Sequence, residues 1–348
     1  MKLPWGKKNK LEDGIVTNTT LDEHREVLLK RGSKFKYQVQ YEKHKVIINT
    51  IVIVFLLLAG AVTLGWYSLY IAKIENNAAF LLSQVAPVPV ANINGQNVRY
   101  SDYLAQYLAS VNVVERQEGA IPRDEDGDRQ RAGYRASAMD NAILDSYAIR
   151  LARELGIRVT RQEIQDALAE RRRIGVQDVT AANFERIIRD SYGLSLSEYT
   201  RAFVELPLIR QRVSEAIDGH ARGLIDELHG RLAEDGSNFE AIAQDLPEDS
   251  GIIVEQSGGA VDMLSLDGGR AMAANDQEAG QVSQPFVSRS GNGYYIVKTI
   301  SKTRDGRVEY LSFFVPFTEL EARVTEHRAE GRIREFIDIR GGSGNSEP

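Results

Sequence analysis

The 348-residue chain offers little for covalent or metal chemistry. It has no cysteine, which removes thiol nucleophiles, cysteine zinc sites and redox pairs. Its five histidines, His24, His44, His220, His229 and His327, are scattered. No His-Glu-x-x-His segment would set two imidazoles on one helix face. His220 and His229 are nine residues apart and read as surface positions rather than ligands. No Gly-x-x-x-x-Gly-Lys loop is present to cradle a phosphate; Gly6-Lys7-Lys8 belongs to a basic, solvated segment. No Gly-x-Ser-x-Gly elbow presents a nucleophile, and Gly342-Ser343-Gly344 belongs to a linker-like tail. The acidic run Asp124–Asp128 lacks the spacing of an EF-hand loop and reads as a solvated loop. No cofactor and no metal is expected.

Charge and hydropathy set where the remaining chemistry can happen. From Val46 to Ala72 there are 27 consecutive residues without a charge, whereas roughly 20 suffice to cross a bilayer. The run ends in Trp66, Tyr67 and Tyr70, residue types that favour the headgroup layer. Residues 1–45 carry 11 Lys and Arg against 6 Asp and Glu, and residues 73–348 carry 32 against 43. The positive-inside bias places the N-terminal segment in the cytoplasm and residues 73–348 outside. A cleaved signal peptide is the rival, but its apolar stretch is normally about 7–15 residues behind a short basic region. Absence of cysteine fits an exported domain that does not rely on disulfides. The acidic C-terminal part lacks the basic footprint that nucleic acid requires.

The elements follow from local patterns. Residues 73–87 read as a stalk. In Val88–Tyr100, two β-prone runs flank Asn94-Gly95, a hairpin signal. A helix from Ser101 carries Tyr103, Leu104, Tyr107, Leu108 and Val111 on one stripe. Residues 115–130 read as a mobile loop, and a second helix runs from Arg131 to Glu154, stopped by Gly156. Thr160 with Glu163, and Ser195 with Glu198, form capping boxes that open further helices. Between them a helix carrying Phe184 and Ile188 ends near Gly193. The helix after Ser195 contains Pro207, where a kink or break is expected. The aromatic stripes read as core.

From Asp218 the texture changes. A helix carries Leu224, Ile225, Leu228 and Leu232, and a shorter one starts at Ser237 with Glu240. Strand-like runs follow at 258–264, 282–287, 293–300 and 307–315, with a short helix at 266–274. Thr318 and Glu321 cap a last helical region, Gly331 marks a bend, and 341–348 is a flexible tail. The fold class is α+β: a transmembrane helix (46–72), a helical domain (88–217), a small α+β domain (218–303), and a C-terminal strand and helix (304–340).

Two stretches carry a family resemblance. ANINGQNVRYSDY, then NAILDSYAIRLARELGIRVTRQEI, then YGLSLSEYTRAF, resembles the N-terminal domain of SurA-type chaperones. Residues 220–300 resemble a parvulin (PpiC)-type peptidyl-prolyl isomerase, through LAEDGSNFEAIAQDL, Gly258-Gly259, Gly280–Pro285 and Gly293–Lys298. The resemblance implies binding of unfolded or newly exported polypeptides, by a holdase or by an active isomerase. A non-chaperone role in envelope assembly is a third reading. This chain departs from the parvulin pattern. The strand expected before the first helix is missing at 213–225, and Tyr295 stands where the family has histidine. The resemblance leaves Tyr295 and Asp262 as the catalytic candidates. Met263, Met272 and Phe286 with Tyr295 could line an apolar groove. Arg307–Val315 could fill the missing strand from the C-terminal side, bringing Tyr310 or Ser312 toward the site.

Overall fold

The computed structural model describes residues 18–339 except 87, 175–176, 235–237, 248 and 266. Two units are distinguished, one ending at Tyr67 and one beginning at Ser68. The first holds α1 (Asn18–Trp66), and a π-helical turn, Tyr67–Ile71, starts on that unit's last residue and continues into the second. The continuous helical stretch His44–Ile71 is long and apolar enough to cross a membrane, with a mean hydropathy of 2.6. Thr50 and Thr63 donate their hydroxyls to the carbonyls of Val46 and Ala59 (both 2.8 Å). Their polar atoms are thereby satisfied inside the helix.

The second unit opens on segments that the sequence gives no reason to fold. Residues 73–87, expected as a stalk, contain α2 (Asn77–Val85), capped by the Asn76 side chain accepting from Ala79 N–H (3.0 Å). Ala79, Phe80 and Ser83 are buried, and so is Leu69. The backbone around them is tied down by Tyr100 Oη donating to Leu69 O (2.9 Å) and Lys73 Nζ donating to Asp338 O (2.6 Å). Tyr103 Oη and Arg135 Nε both donate to Glu75 (2.6 Å each). Burial of Leu69 and Phe80 against the tyrosines of the next helix supplies the driving force.

The hairpin forms as its turn residues dictate. β1 (Pro89–Ile93) and β2 (Gln96–Arg99) flank Asn94 (φ 47°) and Gly95 (φ 86°). Two successive positive φ values define the I′ turn that Asn-Gly favours. α3 (Tyr100–Glu118) then buries Tyr103, Leu104, Tyr107 and Leu108. The loop expected at 115–130 is shorter than the composition suggests: α4 (Glu125–Leu155) starts six residues before Arg131. Asp124 is its N-cap and accepts from Gly127 N–H (2.9 Å), with Glu125, Asp126 and Asp128 in the first turn. The acidic run is therefore a helix start, where negative charge meets the positive end of the helix dipole. A Cβ on Gly127 would lie 1.9 Å from Pro122 O, so only glycine lets this turn approach the preceding loop.

Local caps set the next elements. α4 ends at Gly156 in the left-handed conformation. α5 (Arg161–Arg171) has the complete Thr160–Glu163 capping box. Thr160→Ala is expected to cost about 1 kcal/mol, read as a lower urea midpoint at unchanged slope. A two-residue ribbon, β3 (Arg173–Ile174) with β4 (Gln177–Asp178), leads to α6 (Ala181–Tyr192), closed by Gly193 (φ 68°). α7 (Leu196–Thr200) has the Ser195–Glu198 capping box. The break expected at Pro207 is resolved as a π turn, Arg201–Glu205, in which Leu206 N–H reaches Arg201 O. The chain then continues helical through Pro207 as α8 (Leu206–Ile217), so the lost proline donor is absorbed by wider winding just upstream.

α9 (Gly219–Glu234) and α10 (Phe239–Asp245) follow. The cap of α10 is Asn238, whose side chain accepts from Ala241 N–H (3.3 Å); Ser237 lies outside the described residues. The strands are β5 (Ile253–Gln256), β6 (Val261–Asp262), β7 (Phe286–Val287), β8 (Gly293–Lys302) and β9 (Arg307–Pro316), with α11 (Arg270–Asn275) between β6 and β7. The sheet order is β5-β9-β8-β7, with β6 pairing with the start of β9. β9 and β8 run antiparallel from Gly293↔Pro316 to Lys302↔Val308. Successive residues of β8 face opposite sides. Tyr294 and Ile296 meet α9 and α10, with Phe239 stacked on Phe313 at 3.9 Å. Tyr295 and Val297 face Ala271 and Ala274 of α11.

The C-terminal segment returns to the helical part. α12 (Glu319–Ala329) lies in the same core as α3 and α4, and His327 Nε2 is 3.2 Å from Tyr147 Oη. Gly331 (φ 68°) turns the chain into β10 (Ile333–Glu335), which pairs antiparallel with β1. Thr318 stands at the N-cap of α12, but its side chain makes no cap. Instead Asp218, a hundred residues earlier, accepts from Thr318 N–H (2.7 Å) and Glu319 N–H (3.1 Å).

Candidate functional site

The sharp turn before α11 is built by one carboxylate. Asp267 accepts from Gly269 N–H (3.1 Å) and Ala271 N–H (2.9 Å), and from Tyr310 Oη (2.8 Å). Arg270 donates to Asp267 O (2.8 Å), pairs with Glu255, and lies over the rings of Tyr295 and Tyr310 at 5.1 and 5.7 Å. Gly268 (φ 77°) sits directly above Tyr295. A Cβ there would be 3.0 Å from the ring and 2.9 Å from Ser288 Oγ. Arg289 N–H donates to Gly268 O (3.0 Å), and its guanidinium reaches Met272 Sδ (2.7 Å) and pairs with Glu170 of α5.

That last pair crosses a cavity of about 740 Å³. One wall comes from 263–265, 268–269, 272 and 287–290, with Met263, Leu264, Met272, Val287 and Arg289. The other comes from α5, Tyr199, Val204 of the π turn and the first turns of α8, with Ala167, Glu170, Arg171, Pro207, Leu208 and Gln211. Arg171 donates to Tyr199 Oη (3.4 Å). Drug-sized ligands occupy clefts of ~300–1,000 Å³, and this one mixes apolar walls with guanidinium donors. It has the means to seat apolar side chains and to hydrogen-bond main-chain carbonyls.

The sequence candidates fall into three places. Met263 and Met272 line the cavity. Tyr295 (6% exposed) and Tyr310 (3%) lie beneath its floor, Tyr295 stacked on Phe314 at 4.6 Å and tilted against half-buried Phe286 at 5.9 Å. Burial raises the Tyr295 hydroxyl above its ordinary range against the opposing charge of Arg270, and burial with the Asp267 hydrogen bond raises Tyr310 further. Both phenols therefore stay protonated near neutral pH. Asp262 is exposed and accepts from Leu264 N–H (2.8 Å). It pairs with Arg307 of β9, whereas Tyr295 pairs with Phe314, seven residues along the same strand. That is about 23 Å at ~3.3 Å per residue, so Asp262 and Tyr295 do not share a site.

The residues of the helical wall carry no chemical motif in the sequence. Pro207, inside an otherwise helical apolar stripe, is the one local irregularity that marks it. This wall lies within residues 34–211, which match the family model of the SurA-like N-terminal domain over just more than half of the chain. The chain belongs to this family. No curated protein and no solved structure matches it. The SurA-like part thus contributes α5, Tyr199, the π turn and the start of α8 to the cavity, and residues beyond the match contribute the rest.

Proposed function

We propose that this SurA-like chain is a membrane-anchored folding factor that holds unfolded, newly exported polypeptides. The cavity between the SurA-like helices and the α+β part carries the proposal. Its methionines adapt to varied apolar side chains, and its arginines can meet peptide carbonyls. The span His44–Ile71 and the basic N-terminal segment favour a cytoplasmic N-terminus, with residues 73–348 outside the cell membrane.

The test is aggregation of an unfolded client in the presence of the full chain in lipid nanodiscs. The expected result is suppression, lost in a Leu208→Glu, Met272→Glu double variant that keeps its circular dichroism and melting temperature. Unchanged suppression by that variant would remove the cavity from the mechanism.

A second reading, prolyl isomerisation by the α+β part, draws on one observation. β9 lies between β5 and β8, so the C-terminal side supplies a central strand that the parvulin-like stretch lacks before α9. Residues 218–316 are then a parvulin-like unit with its strands in rearranged chain order. Proline-limited refolding accelerated by the wild type, and not by Tyr295→Ala, would favour this reading over the holdase. If neither activity appears and crosslinking recovers a single envelope partner, the chain serves as a docking module.

A further inference from the structure

α2 presents an apolar face that nothing among the described residues covers. Ala79, Phe80 and Ser83 point into the core, while Leu81, Leu82 and Val85 are 59, 40 and 86% exposed. About a quarter of the chain's residues are charged, yet Asn76–Val98 contains no Asp, Glu, Lys or Arg. A water-facing helix ordinarily carries charge on its outer side. Exposed apolar surface that is grouped rather than scattered marks an interaction site.

The occupant follows from where α2 sits in the chain. The membrane-spanning stretch ends at Ile71, and α2 begins six residues later. The end of the span and the segment after it are not a free tether. Leu69 is buried, Tyr100 holds its carbonyl, Tyr103 and Arg135 hold Glu75, and Lys73 is bonded to Asp338 O. The folded unit is thereby fastened within a few residues of the point where the chain leaves the bilayer. Neither Leu81, Leu82 nor Val85 lines the client cavity.

We infer that α2 lies on the lipid surface, with Leu81, Leu82 and Val85 inserted among the headgroups and upper acyl chains. A surface helix buries its apolar face about 5–10 Å into this layer. The inference rests on the reading of His44–Ile71 as a membrane span. Contact through α2 adds a second point of attachment to the bilayer besides the span.

The cysteine-free sequence makes the test direct. Val85→Cys and Leu81→Cys, each labelled with a polarity-sensitive fluorophore, are compared in the full chain in phosphatidylethanolamine–phosphatidylglycerol vesicles. Ile53→Cys, within the span, and Asp305→Cys, in the exposed turn between β8 and β9, serve as references. The expected result is blue-shifted emission at positions 81 and 85, quenched by lipids with a nitroxide near the headgroup and protected from aqueous iodide. Position 305 should behave in the opposite way, and position 53 should be quenched by a deep nitroxide. Iodide quenching at 85 equal to that at 305 overturns the inference. Shielding of 85 from both quenchers overturns it too, since a protein surface would then cover α2. Escape of position 53 from the deep nitroxide overturns the span reading itself.

Discussion

Asp218→Ala should loosen the junction of three helices, lowering stability by about 2–3 kcal/mol. Asp218 is 2% exposed. Its Oδ1 accepts from Ala221 N–H (2.9 Å) in the first turn of α9, and its Oδ2 accepts from Thr318 and Glu319 N–H at the start of α12. Its own backbone N–H closes α8 on Ser214 O (3.0 Å). Alanine leaves three backbone donors without their acceptor; a buried group left unpaired costs roughly 1–3 kcal/mol, which applies in full to the Ala221 donor and is reduced at the part-buried donors of Thr318 and Glu319. Thermal unfolding reads the total. Hydrogen exchange locates it, since protection should fall first at the starts of α9 and α12, whose N–H groups this carboxylate accepts. Asp218→Asn keeps acceptor oxygen and should lose less. An alanine variant within experimental error of wild type would show that water replaces these bonds at no cost.

Asp145→Asn should change the pH dependence of stability between about pH 4 and 6. Asp145 is 2% exposed in the interior of the SurA-like part. Gln106 Nε2 donates to its Oδ2 (3.0 Å), while Oδ1 receives no hydrogen bond and lies 3.5 Å from Arg210 Nε. Asp102, bound at both oxygens by Arg201 (2.9 and 3.0 Å), adds a nearby negative charge. Burial outweighs the pull of Arg210, and the carboxyl is pushed up to about 6. In the unfolded chain it titrates near ~3.9, so the folded state binds the proton more tightly. The resulting stabilisation is full below about pH 4 and is lost as pH rises through about 6. Two pH units correspond to about 3 kcal/mol. The amide, uncharged throughout, should therefore gain on the wild type as pH rises from 4 to 7, by up to that amount. Urea unfolding of both proteins across this range tests it, and a difference that does not vary with pH would exclude Asp145 as the titrating group.

Features legible in the sequence are those that a few neighbouring residues close among themselves. Asn94-Gly95 makes its turn, Thr160–Glu163 and Ser195–Glu198 make their capping boxes, and Gly156 and Gly193 end their helices, each within one helical turn or hairpin. The acidic run at 124–128 shows the limit of composition. Charge and glycine suggest a loop, but the same carboxylates are favourable at a helix start. Thr318 shows it again, because the caps of α12 come from Asp218, and no local pattern reports a partner a hundred residues away. The cavity was hidden for a similar reason. Ala167, Glu170, Pro207 and Leu208 read as ordinary helix residues, and only the approach of residues such as Met263, Met272 and Arg289 makes them a wall.

The sequence by itself determined the α+β class, the apolar span and the local caps, because hydropathy period and short-range hydrogen bonds are properties of adjacent residues. The tertiary structure alone decided three other things. β9 enters the middle of the sheet, β10 adds a strand to β1, and the stretch after the span docks instead of forming a stalk. In each case the deciding quantity is which buried surface and which unpaired backbone edge find each other across the fold. Edge strands and exposed apolar faces accept many partners, and only packing in three dimensions selects one.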